Sequence, residues 1–145
     1  MTDTYIEKIL IDAFLTLNEF SGEEYIIKDD KENLLNVSLP NVLFVPPKDN
    51  QFFILSFLPN EPEPSGLGTN AENRWSGILQ IDIFVPLGAG MEETTEKYNR
   101  IVELFQRGKI FDEIMIVKTY RATHGAEDAF YRTVVRSEFT ASLPN

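Results

Sequence analysis

Residues 75–85, Trp75-Ser76-Gly77-Ile78-Leu79-Gln80-Ile81-Asp82-Ile83-Phe84-Val85, decide the fold. Leu79, Ile81, Ile83 and Val85 recur at every second position against Gln80 and Asp82, the two-residue period of a strand with one buried and one partly polar face. Upstream, Phe52 to Leu58 is denser. Phe53, Leu55 and Phe57 fall on one side and Phe52, Ile54 and Leu58 on the other, which predicts a strand covered on both faces. Downstream, Ile114 to Tyr120 and Phe130 to Ala141 read as two more strands, joined by a loop containing His124-Gly125. Along the last of these, Tyr131, Thr133, Val135, Phe139 and Ala141 face one way, and Arg132, Arg136, Glu138 and Thr140 the other. Short strands are expected around Tyr25-Ile27 and Leu43-Val45, with a turn at Leu39-Pro40-Asn41 and a break at Pro46-Pro47.

Helical periodicity flanks these strands. Ile6, Ile9, Leu10, Ala13, Phe14 and Leu17 lie on one helix face, continued by Phe20; Thr4 and Glu7 form a capping-box pattern, and Ser21-Gly22 supply a stop. After Pro86-Leu87-Gly88-Ala89-Gly90 a second helix carries Tyr98, Ile101, Val102 and Phe105 and ends near Gly108. Glu92, Glu93 and Glu96 crowd its start, and Arg107 and Lys109 follow its end, in agreement with the helix dipole. The order helix, two strands, helix, two strands predicts an α+β fold: an antiparallel sheet of four or more strands with two helices packed on one face. A chain of 145 residues with 43% apolar content can bury a core without disulfides, and residues 1–145 are expected to form one domain.

Composition narrows the chemistry. The chain has no cysteine, so thiol nucleophiles and thiolate metal sites are excluded, and 13 Lys+Arg against 23 Asp+Glu give a net charge of -10 that repels a phosphate backbone. No apolar run approaches the roughly 20 residues of a membrane helix, and the N-terminus lacks a secretory pattern, so synthesis and use in the cytosol are expected. The single histidine, His124, stands beside Gly125 with no partner pattern for a triad. The run Asp29-Asp30-Lys31-Glu32-Asn33 places a lysine where a calcium loop needs an oxygen ligand, which favours a solvated turn. Gly88-Ala89-Gly90 sits between strand and helix as a phosphate loop does, yet Glu93 occupies the place of a third glycine and no Lys-Ser/Thr pair follows. The adjacent acids Glu23-Glu24, Asp112-Glu113 and Glu127-Asp128 do not converge if they lie on strands. No catalytic residue, metal ligand or cofactor is expected.

The connection from Pro59 to Arg74, with Pro62, Pro64 and Gly66, is too long for an idle hairpin loop. Together with Pro40-Asn41, Phe44-Val45-Pro46-Pro47, Gly66-Leu67-Gly68, Gly77-Ile78-Leu79-Gln80-Ile81 and Phe84-Val85-Pro86-Leu87-Gly88-Ala89-Gly90, it resembles the tail terminator, or tail completion, proteins of long-tailed bacteriophages and prophages. The resemblance spans roughly residues 4–140 in element order and is concentrated between Pro40 and Gly108. It implies a non-enzymatic structural virion protein at the head-tail junction, made in the bacterial host cytoplasm. Such a protein forms a homo-oligomeric ring, six-fold, on the head-proximal end of the tail tube, stops tube growth and offers a surface to a head-completion or connector protein.

On that reading the Pro59–Arg74 loop touches a neighbouring subunit or the tube, with Leu67 and Trp75 as apolar anchors and Glu61, Glu63 and Arg74 as polar contacts. Trp75 reads slightly better as a core residue at a strand start. The acidity reads either as ordinary solubility or as a negative lumen through which DNA passes without specific binding. Three other functions stay open: a different connector or neck subunit of the same particle, a small carboxylate-based enzyme, and a plain cytosolic adaptor that stays monomeric.

Overall fold

The computed structural model describes residues 2–67, 72–88 and 90–144. In chain order the elements are α1 (Thr2–Phe14), α2 (Leu17–Ser21), β1 (Val37–Ser38), β2 (Phe52–Pro59), β3 (Glu63–Pro64), β4 (Glu72–Pro86), α3 (Met91–Leu104), β5 (Ile110–Phe111), β6 (Ile114–Glu127) and β7 (Phe130–Pro144). They form an α+β fold around one sheet of order β1-β2-β4-β7-β6-β5, with β3 pairing beside β4. The sheet curls into a half-barrel.

The four long strands are antiparallel as expected, β2 to β4, β4 to β7 and β7 to β6. The sheet as a whole is mixed, because β1 runs parallel to β2. Parallel neighbours need a long crossover, and residues 39–51 supply one. It opens on the expected turn, in which Val42 N–H donates to Leu39 C=O and Asn41 takes the positive φ that the third turn position requires. His124-Gly125 lies inside β6 rather than in a loop, since β6 and β7 stay paired out to Glu127 and Phe130, and the turn is left to Asp128 and Ala129.

The first helix departs from expectation at both ends. It begins at Thr2, so Thr4 lies inside it and the capping box does not form. It breaks after Phe14, where the Thr16 hydroxyl donates to Ala13 C=O at 2.6 Å in competition with the helical ladder. The short α2 then stops at Gly22, which adopts the left-handed conformation expected of it. Tyr25-Ile27 is not a strand. Its backbone is satisfied by two amides: Asn18 accepts from Tyr25 N–H and Ile26 N–H, and buried Asn36 accepts from Ile27 N–H and donates to Tyr25 C=O. Leu43-Val45 also forms no strand.

The core lies between the helices and one sheet face. Ile6, Leu10 and Phe14 of α1 and Ile101 and Leu104 of α3 meet Phe53 and Leu55 of β2, Leu79, Ile81 and Ile83 of β4, and Val135 and Phe139 of β7. The period-two residues of 79–85 thus face inward, as their spacing requires. The opposite face holds a smaller aromatic cluster, in which Phe52 stacks on Phe84 at 4.5 Å and Phe130 meets both rings edge-on.

Candidate functional site

The loop between β2 and β4 is a folded arm. Asn60 N–H donates to Ser76 C=O, Glu63 and Pro64 pair with Arg74 and Asn73, and both the amide and the hydroxyl of Ser65 reach Glu72 C=O. Glu63 and Arg74, expected as contact residues, form an ion pair with each other across this hairpin. Glu61 is exposed and Leu67 is 99% exposed at the tip. Trp75 packs against the core, where its indole N–H has no partner among the described residues. The structure therefore joins Glu63 to Arg74, leaves Leu67 and Glu61 outward and turns Trp75 inward. Gly68 of the Gly66-Leu67-Gly68 motif, and Ala89 of the second glycine motif, lie outside the described residues.

A second apolar surface was not singled out from the sequence. In the crossover 39–51, Phe44 packs against Phe52 with ring centroids 6.0 Å apart, and this anchor holds Leu43 and Val45 outward, Val45 at 87% exposure. A short strand was expected at Leu43-Val45, whereas Phe44 is the seated residue and Leu43 and Val45 are exposed. Exposed apolar side chains of this size, held by an aromatic anchor, suit a protein-protein contact.

The outer sheet face carries a polar ladder. Asp82 is buried and accepts two hydrogen bonds from Arg132, at 3.0 and 2.6 Å, and one from Gln80 at 3.0 Å; Arg136 donates to Gln80. The bond to Asp82 holds the Arg132 guanidinium above its ordinary pKa. Lys118 and Glu138 pair at 3.6 Å on the same face. Arg132 and Lys118 are paired with acids on this face, while Arg136 donates to the neutral Gln80 amide.

The residues considered for chemistry resolve into local structure. His124 is exposed and its Nδ1 meets the Tyr131 hydroxyl, with no carboxylate bonded to the ring among the described residues. Asp29 accepts from Lys31 N–H, Asn33 N–H and the Asn33 amide, and these bonds hold its carboxyl below the usual range. Glu113 accepts from Tyr5 and Glu127 leans toward Arg132. Among the described residues no group of three His, Asp or Glu is placed to hold a metal ion, and no helix is long and apolar enough to cross a membrane.

No curated protein matches the chain in sequence. A solved structure of a chain 13% identical superposes with a TM-score of 0.64, covering 92% of this chain and 94% of that one, a likeness of fold. The family model described as Phage tail terminator protein matches residues 23–134. That stretch holds the crossover, the arm, α3 and β6, and the chain belongs to the phage tail terminator family, structural proteins of the bacteriophage tail.

Proposed function

We propose that the chain caps the head-proximal end of the tail tube as a ring of six copies, ending tube growth and presenting a surface to a head-completion or connector protein. The observation that carries this reading is the pair of unlike apolar projections, Leu67 on the arm and Leu43 with Val45 on the crossover, in a member of the terminator family. A head-to-tail ring needs two different patches on each subunit, and a ring between tube and connector needs a further one.

The charge distribution bears on the passage of DNA. Glu92, Glu93, Glu96 and Glu103 on α3 and Asp3, Glu7 and Asp12 on α1 outnumber Lys8, Lys97 and Arg100 on those helices, whereas the outer sheet face is balanced. A lumen lined by the helical layer is negative and lets DNA slide.

Electron microscopy of tails assembled with and without the protein tests the main reading. Tubes of uncontrolled length in its absence, and of fixed length in its presence, support it; fixed length in both overturns it. Binding to purified portal in preference to purified tube would instead favour a neck subunit.

A further inference from the structure

The long strands alternate in direction across the sheet, so the outer two of that set, β2 and β6, run opposite ways. Each is only partly covered on its outer side. β1 reaches β2 at Phe53 and Ile54, and β5 reaches β6 at Ile114 and Met115, with Ile116 bonded to Lys109 just beyond. Among the described residues no strand covers β2 from Leu55 to Leu58, or β6 beyond Val117, on those sides.

These two bare stretches stand level. Through the cross-strand pairs, Leu55, Ile81, Val135 and Arg121 share one row, and Leu58, Ile78, Glu138 and Lys118 another. The register of β6 against β7 shifts between Ile116 and Lys118 and again between Arg121 and Thr123, so the two irregularities bracket residues 118–121. The second shift falls in the row of Ile54, where β1 begins to occupy the edge of β2. A strand laid along Leu55–Leu58 must bend away at that row, and β6 carries its bend there.

Charge and apolar exposure are complementary as well. The β6 edge exposes Arg121, while the chain leaving β2 exposes Glu61. An antiparallel partner on β2 directs the start of its own β6 toward the arm, bringing exposed Ile110 and Met115 to the side of Leu58 and Leu67.

We propose that copies of this chain join edge to edge, Leu55–Leu58 of one adding antiparallel to Lys118–Arg121 of the next, so that the sheet continues from subunit to subunit. The contact is heterologous, uses both bare edges of every copy and propagates until it closes. It rests on the ring reading above and names the contact that builds the ring.

The absence of native cysteine makes disulfide trapping a clean test. Two double variants, Leu58→Cys with Lys118→Cys and Ser56→Cys with Tyr120→Cys, place one thiol on each edge in level rows. Within a chain β4 and β7 separate the two thiols, so any bridge joins two copies. Oxidation of tails assembled with these variants, and of the concentrated chain, is expected to give a ladder of linked species ending at the closed ring. Dimers formed by Lys118→Cys or Tyr120→Cys alone would show β6 pairing with β6 about a two-fold axis and overturn the inference. Unlinked variants on tails of normal length would overturn it while leaving the terminator reading standing. Tails of normal length without the protein would remove that reading itself.

Discussion

Gly77 shows how one missing side chain shapes the sheet. A Cβ at this position meets Leu58 O at 2.6 Å and Pro59 Cα at 2.8 Å, so the end of β2 lies directly over it and the strand can curl there. Both atoms belong to the backbone and cannot swing away. Gly77→Ala is expected to destabilise the fold by about 1–3 kcal/mol, read as a lower urea midpoint. Tyr25 yields a prediction with a pH signature. Burial, and then its 2.7 Å bond to Glu96, push the hydroxyl up to about 12 from an ordinary 10.0. Below pH 10 this contribution is fully present. Between 10 and about 12 the folded chain keeps a proton that the unfolded chain has released, so stability falls as pH rises. Tyr25→Phe is expected to cost about 0.5–1.5 kcal/mol at neutral pH and to flatten that alkaline fall in denaturation curves taken at successive pH values. Little of this was legible in the sequence. Asn18, Asn36 and Glu96 serve Tyr25 and its neighbours from other parts of the chain, and no local period marks such a partnership.

β4, β7 and α3 were legible because each carries its own period over many residues, two in the strands and about 3.6 in the helix, and β2 because its apolar run is dense on both faces. β1, β3 and β5 are two residues each, too short for any period, and exist only because a long strand offers them an edge. The pairing inside the arm leaves no trace in the sequence for the same reason. Its hydrogen bonds begin beyond Asn60–Ser76 and Pro59–Gly77, so removing residues 61–72 leaves the β2–β4 pairing intact. That deletion is expected to change stability by no more than about 1 kcal/mol, since shortening a loop alters closure entropy little. It is also expected to abolish ring assembly; variant tails of normal length under the electron microscope would show that the arm contacts nothing essential. Trp75, read slightly better as core than as contact, is core-packed, and its replacement by Phe is expected to keep both fold and assembly.

Across the whole molecule, the feature hidden from sequence is strand order. After α3 the chain goes first to the sheet's far side and returns as β7 into its centre, between β4 and β6. Consecutive strands give no hint of this return, yet it separates β2 from β6 and leaves each with a bare edge. The charge of -10 acts at the same scale, because every added copy is repelled by those already assembled. Self-association is expected to tighten as sodium chloride rises from about 0.02 M to about 0.5 M, in sedimentation velocity runs, as the screening length contracts. The fifteen aligned residue pairs of β4 and β7 have a mechanical consequence. At about 3.3 Å per residue these strands run some 50 Å side by side. Tension along them loads the whole ladder in shear at once, whereas tension across them peels one pair at a time. In the ring proposed above, subunits standing with these strands along the ring axis resist a pull along that axis with every rung together.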